Sequence, residues 1–145
     1  MGRIEAICIS PGKGTVKTTV PEAELRVAHG IVGDAHAGDW HRQVSLLPSE
    51  SIAKVRDLMP DLADGAFAEN MVTSGVVLAG VKVGDRVAVG DDALLEVTQI
   101  GKECHNGCAI MKITGDCIMP REGIFCRVLE GGHIRPGSRA ALTTG

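Results

Sequence analysis

Four of the five cysteines fall in one stretch of this chain, at Cys104, Cys108, Cys117 and Cys126. The first stands in Gly101-Lys102-Glu103-Cys104-His105-Asn106-Gly107-Cys108, flanked by two groups that carry or can carry positive charge. The thiolate is the reactive form of cysteine, both as nucleophile and as metal ligand, and neighbouring cations favour it. Cys104 follows the strand-like run Leu94 to Ile100, which puts it on a loop. A rigid scaffold presents chemistry on loops. Lys102 and His105 are placed in the sequence where their charge is expected to lower the Cys104 pKa. An accessible thiolate of low pKa attacks sulfur and can hold it as a persulfide. Cys8, Cys117 and Cys126 lie in or beside apolar runs and read instead as small buried hydrophobes.

Two other chemistries compete with sulfur transfer. The four clustered thiolates and His105 offer ligands for a structural zinc. Such sites commonly present two close pairs, and only Cys104 and Cys108 form one here. A second polar cluster, Asp34, His36, Asp39 and His41, sits in the glycine-bounded segment from Gly33 to Arg42. His and carboxylate together bind divalent metals or move protons. The same residue types also cap turns through local hydrogen bonds, and the sequence leaves both readings open. Gly12-Lys13-Gly14 lacks the spacing of a phosphate loop and the hydroxyl residue after its lysine, so it reads as a solvated turn.

The elements that must hold these groups are mostly strands. Arg3 to Ser10 is an apolar strand ending at Pro11-Gly12. Val20 to Val32 carries Ala23, Leu25 and Val27 in alternation with Glu24 and Arg26, a half-buried strand. Val44 to Leu47, Arg86 to Val89, Leu94 to Ile100, Gly123 to Glu130 and Arg139 to Thr143 add further short strands, separated by turns at Val83-Gly84-Asp85, Gly90-Asp91-Asp92 and Ile134 to Ser138. One helix is clear: Ser49 as N-cap, Glu50 in the first turn, then Ile52, Val55, Leu58 and Met59 on one face until Pro60. A second short helix is expected around Leu62 to Phe67. Short strands at this spacing, with one clear helix, predict a mainly β fold, either a barrel or a sandwich.

Composition narrows the function. The chain has 145 residues, which suggests a single domain over 1–145. With two Phe, one Trp and no Tyr, its core rests on aliphatic side chains. Net charge is -3 with no basic stripe, and aromatic platforms in basic grooves are what hold single-stranded nucleic acid, so no nucleic-acid partner is expected. No apolar run approaches the roughly 20 residues of a membrane span. The start has Glu5 and no apolar core of a signal peptide. An odd number of cysteines without an export signal predicts reduced thiols in a cytoplasmic protein.

Several segments together resemble the MOSC domain, the module named after the C-terminal part of molybdenum cofactor sulfurases. They are Gly30-Ile31-Val32-Gly33-Asp34-Ala35-His36, Arg42-Gln43-Val44-Ser45-Leu46-Leu47, Glu69-Asn70-Met71, Leu78 to Asp85, the strand Leu94-Leu95-Glu96-Val97-Thr98 leading to Cys104, and Gly123 to Leu129. The resemblance is to the stand-alone bacterial type and implies a mainly β fold, a strongly bent, barrel-like sheet with a few short helices, and one functional cysteine, matched by Cys104. It implies a sulfur carrier that accepts persulfide sulfur on Cys104 with Lys102 and His105 stabilising the thiolate, or a protein that binds molybdenum cofactor (molybdopterin). Asp34, His36, Arg42, Asn70 and Arg127 are then the cofactor-binding residues, the two arginines through bidentate contacts to an anionic group. For the arginines, an inter-strand or surface ion pair is the competing reading. No protein metal site is expected beyond this. Partners implied are a cysteine desulfurase or other sulfur donor, and molybdenum cofactor biosynthesis proteins. The pyridoxal-phosphate domain of the sulfurases has no counterpart here, so no pyridoxal phosphate is expected, and any sulfurase-like activity depends on the donor. Lys102-Glu103 departs from the Arg or Pro frequent beside the key cysteine. A molybdenum-dependent reductase of N-hydroxylated compounds, with Cys104 as a molybdenum ligand, and a zinc-stabilised interaction module are the alternatives.

Overall fold

The computed structural model describes residues 2–10, 17–35, 37–57, 69–76, 81–100 and 123–143. Its elements are β1 (Gly2–Ile9), β2 (Thr18–Val20), β3 (Ala23–Arg26), β4 (Gly30–Ile31), β5 (Val44–Pro48), α1 (Ser49–Arg56), β6 (Met71–Ser74), β7 (Arg86–Val89), β8 (Ala93–Ile100), β9 (Ile124–Glu130), β10 (Gly132–Ile134) and β11 (Arg139–Thr143). Seven of the strands close on themselves in the order β1-β11-β7-β8-β9-β5-β6, because β1 pairs with both β11 and β6. Every ladder of this barrel is antiparallel except β5–β6. A parallel pair needs a crossover, and α1 lies within that connection. β2 extends the sheet beyond β1, and β10-β3-β4 form a small second sheet.

Alternation decides which side chains fill the barrel. Along β8, Ala93, Leu95 and Val97 are buried while Leu94, Glu96 and Thr98 are half-buried. Along β9, Ile124, Cys126 and Val128 join the same core and Arg127 points out. Ile4, Ile7, Val44, Leu46, Met71, Val87, Val89 and Ala140 complete it. Each such aliphatic side chain contributes about 1.5–3 kcal/mol on burial, which lets a core with almost no aromatics hold. On the opposite face of β5 and β6, Leu47 and Val72 are buried as well, where α1 packs with its buried Ile52.

Three local expectations change. The Val20 to Val32 run is not one strand. Pro21 separates β2 from β3, and the chain turns at Val27 to His29 with Ala28 at φ 56°. Val27, expected inside, is 54% exposed as a result. The stretch after Glu130 forms β10 against β3 instead of a plain turn. Ser49 begins the helix proper, and its hydroxyl lies 3.4 Å from the Glu50 carboxylate. That carboxylate accepts the Gly75 N–H at 3.0 Å, joining α1 to the end of β6. The helix expected at Leu62 to Phe67 lies outside the described residues. Among the described residues, no helix is long and apolar enough to cross a membrane.

Candidate functional site

The segment from Gly33 to Gln43 links two polar places, one at each of its ends. At the first end, Gly33 adopts φ +92°, a conformation in which glycine carries no Cβ penalty. It delivers Asp34 into the protein. The Asp34 carboxylate accepts the Ser10 N–H at 3.1 Å and meets Lys17 Nζ at 2.6 Å. Both side chains of this ion pair are fully buried. Burial pushes the Asp34 carboxyl up, but hydrogen bonds from Lys17 and from the Ser10 amide, with the lysine charge, overcome it and hold the group below the ordinary carboxylate range. Asn70 adds a further hydrogen bond in the same direction.

Asn70 is itself a clamp. Its Oδ1 accepts the Ser45 N–H at 2.9 Å and its Nδ2 donates to the Cys8 carbonyl at 3.1 Å. Its own N–H donates to Ser45 Oγ at 2.9 Å. One buried amide thus ties β1 and β5 to the start of β6. Asp34 and Asn70, separate in sequence, meet in one network with Ser10, Lys17 and Ser45. Lys17 is its unforeseen member: lysine is almost never fully buried unless paired, and nothing near it in sequence marks the pairing.

The other end of the segment lies on the outward face of β8 and β9. Gln43 is buried, and its Oε1 accepts the Val128 N–H at 2.9 Å. A bulge interrupts the β8–β9 ladder between Val97 and Gln99. Bulges re-aim side chains next to functional sites, and here Thr98 places its hydroxyl against the His41 carbonyl and 3.1 Å from the Phe125 carbonyl. His41 Nε2 donates to Gln99 Oε1 at 2.8 Å. The Arg42 guanidinium stacks 4.7 Å from the centroid of Trp40 and 5.7 Å from that of Phe125. Cation–π contacts of this kind hold an arginine flat. Its Nε is buried and has no hydrogen-bond partner among the described residues. Arg127 pairs across the ladder with Glu96, Nε to Oε1 at 2.6 Å.

Between these groups runs an open cleft of ≈ 750 Å³. Glu96, Thr98, Arg127 and Leu129 line it from the outward face of β8 and β9, with Trp40 and His41 from the long loop and Val27 and Val83 from two turns. At the end of β8 the described chain breaks off at Ile100, whose register partner Ile124 begins β9. Cys104 stands four residues beyond Ile100 in the sequence.

The expected site residues thus fall into three groups. Asp34 and Asn70 belong to the buried network. Arg42 and Arg127 stand at the outward face of β9, Arg42 against aromatic rings and Arg127 in an inter-strand ion pair. Cys104, Lys102, His105 and His36 lie outside the described residues, as do Cys108 and Cys117. The Asp34, His36, Asp39 and His41 cluster does not converge through its described members: Asp34 is buried against Lys17, His41 is turned to Gln99 and Asp39 is exposed. Among the described residues no group of three His, Cys, Asp or Glu could hold a metal ion. Cys126 is a reduced thiol in the barrel core, where burial and then the Glu96 charge push its pKa far up. That environment disfavours a thiolate ligand, and Cys8 is equally buried.

A family model described as the MOSC domain matches residues 33–140. A protein named "Reductase" from Gibberella moniliformis (strain M3125 / FGSC 7600) is 32% identical over 127 residues. That match takes in 79% of this chain and 23% of the relative, so the chain spans about a quarter of that protein's length. Among solved structures, the YUAD protein from Bacillus subtilis superposes with a TM-score of 0.75 at 19% identity, over 100% of this chain and 97% of that one. YiiM from Geobacillus stearothermophilus follows the same fold with a TM-score of 0.71 at 22% identity, over 99% of this chain and 75% of its own.

Proposed function

The chain belongs to the MOSC domain family, and from that premise we propose that it handles sulfur for a metal–sulfur cofactor, with Cys104 as the acceptor and Arg42 as an anchor for an anionic cofactor group. The observation that carries this reading is the buried Arg42 Nε, which has no hydrogen-bond partner among the described residues. An arginine fixed between Trp40 and Phe125 with a donor left over fits an oxyanion better than it fits a purely structural role, since a buried donor without an acceptor costs about 1–3 kcal/mol. Molybdopterin carries such a group. When bound, it would supply the dithiolene ligand of a molybdenum centre. Arg42 would hold the anionic end, and the buried Lys17–Asp34 and Asn70–Ser45 contacts would keep the two ends of the Gly33 to Gln43 loop in place.

The sulfur step is a thiol exchange. The Cys104 thiolate attacks the outer sulfur of a donor persulfide, the donor S–S bond breaks, and the donor leaves as its thiolate. Cys104 then carries the persulfide, and no external oxidant is consumed. Lys102 and His105 supply the positive charge that favours the thiolate. Mass spectrometry after incubation with a cysteine desulfurase and cysteine tests it. The intact protein is expected to gain the mass of one sulfur on Cys104, and Cys104→Ser is expected to gain none while shifting stability by no more than about 1 kcal/mol. Retained sulfur loading in that variant would end this reading. A large loss of stability with released zinc would replace it by the structural-metal reading.

One finding favours a second reading. The fungal relative is named a reductase, which fits a molybdenum-dependent reductase with Cys104 as metal ligand. Molybdenum analysis of protein purified from a cofactor-producing host separates the two: one molybdenum per chain that is lost in Cys104→Ser supports the reductase.

A further inference from the structure

We propose that the cleft on the outward face of β8 and β9 is a binding site for a planar aromatic molecule carrying a carboxylate or phosphate group. Its size lies within the range of about 300–1,000 Å³ usual for small-molecule pockets. Its aromatic wall is braced from more than one side. Trp40, which lines it, is held by the Arg42 guanidinium at 4.7 Å and by the edge of His41, whose ring lies at 5.7 Å and 72°. His41 is fixed in turn by Gln99. Two valines with no place in the core, Val27 at 54% and Val83 at 63% exposure, form other walls. Apolar walls with a fixed indole suit a flat ring, whose stacking on an aromatic surface contributes about 0.5–1.5 kcal/mol beyond its area.

The ligand's charge follows from which donors are unspent. Glu96 engages only the Nε of Arg127. Among the described residues, the two terminal nitrogens of Arg127 have no hydrogen-bond partner, and the side chain is 52% exposed. They form the planar fork that receives a carboxylate or phosphate. The acids of the cleft oppose this weakly: Glu96 is paired at 2.6 Å and Asp39 is exposed to solvent. Arg42 behind the indole adds positive charge on the same side. Cys104 has no part in this proposal, which stands or falls apart from sulfur transfer.

Trp40 is the only tryptophan, so its indole N–H gives one resonance in a ¹⁵N-labelled sample of the whole chain. Benzoate, phenyl phosphate, benzyl alcohol, benzylammonium and acetate are titrated separately. Benzoate or phenyl phosphate is expected to shift the resonance saturably and at least about tenfold more tightly than benzyl alcohol, the factor expected of one charge-assisted hydrogen-bond pair. The tighter of the two names the oxyanion. Arg127→Gln is expected to erase that tenfold difference. Val83→Asp, at an exposed turn, is expected to weaken both aromatic acids while leaving the rest of the spectrum in place. Cys104→Ser is expected to change nothing here, even if it abolishes persulfide loading. Equal or tighter binding of benzylammonium, a response to acetate matching that to benzoate, or no saturable shift with any probe would overturn the proposal.

Discussion

Cys104 and Cys126 are two cysteines of one short stretch with opposite chemical expectations. Cys126 points into the barrel with its pKa far above the ordinary thiol value, because burial and the nearby Glu96 charge both oppose the thiolate. Cys8 is fully buried on β1. With a limiting alkylating reagent at neutral pH, Cys104 is therefore expected to label first, and Cys8 and Cys126 only on unfolding. Peptide mapping decides this, and labelling of Cys126 in the folded protein at the rate of Cys104 would contradict it. Lys17 makes the complementary case, a charge inside the fold whose counter-charge is Asp34 and whose Nζ also donates to Ser10 Oγ at 3.3 Å. Lys17→Met leaves the Asp34 carboxylate buried without its cation, which is expected to cost about 3–5 kcal/mol. Denaturant titration of Lys17→Met beside the double variant Lys17→Met/Asp34→Leu measures it. The double variant is expected to recover part of the loss, because it removes the stranded charge as well.

At the scale of elements, the Gly33 to Gln43 loop depends on a close approach at its base. Gly30 has φ +119°, and a Cβ there would lie 2.6 Å from the Gln43 carbonyl oxygen. Gly137 has φ +95° with nothing within 4 Å of its would-be Cβ. Gly137→Ala is expected to cost only backbone strain, on the order of 1 kcal/mol. Gly30→Ala adds a backbone collision and is expected to cost distinctly more, read as the difference in melting midpoint between the two variants. Equal losses would show that the loop base yields. The barrel strands β5, β7, β8, β9 and β11 were legible because each alternates or runs apolar between glycine-rich turns. The break at Ala28 was not, since a positive φ at alanine leaves no mark in composition. β10 was hidden because three residues are too few to show a period. Of the site, the family resemblance pointed to Asp34, Asn70, Arg42 and Arg127, but their division between a buried network and the outward face of β9 depends on which strands the barrel brings together. The stacking of Arg42 between Trp40 and Phe125 is likewise a product of the β8–β9 bulge and the long loop meeting.

Carboxylates tie separate segments of the molecule together at three places, and this makes the whole fold sensitive to acid. Asp34 ties the long loop to Ser10 and Lys17. Glu5 on β1 accepts the Ser74 hydroxyl of β6 at 2.5 Å and the Arg3 guanidinium at 2.9 Å. Glu50 ties α1 to Gly75. All three are held below their ordinary values: Glu5 by the Ser74 and Arg3 hydrogen bonds, and Glu50 by the Gly75 amide first and then its own. Asp34 is held down by Lys17 and Ser10 against the opposing effect of burial. A group whose pKa falls on folding binds fewer protons in the native state than in the unfolded one, so its contribution is complete above the unfolded value and is lost as pH falls through the folded one. The ordinary values are 4.5 for the glutamates and 3.8 for the aspartate. These groups therefore leave stability flat from neutral pH down to about 5 and draw it down steadily below that. Urea unfolding at a series of pH values is expected to show this profile. Added salt is expected to weaken the part due to exposed Glu5 and leave the part due to buried Asp34, because screening acts on solvent-exposed charges. Asp34→Asn is expected to lie below the parent at neutral pH and to lose less on acidification, so that the two curves converge toward low pH. Parallel curves would show that Asp34 has the same pKa folded and unfolded, and that the Lys17 contact does not hold the carboxylate in its charged form.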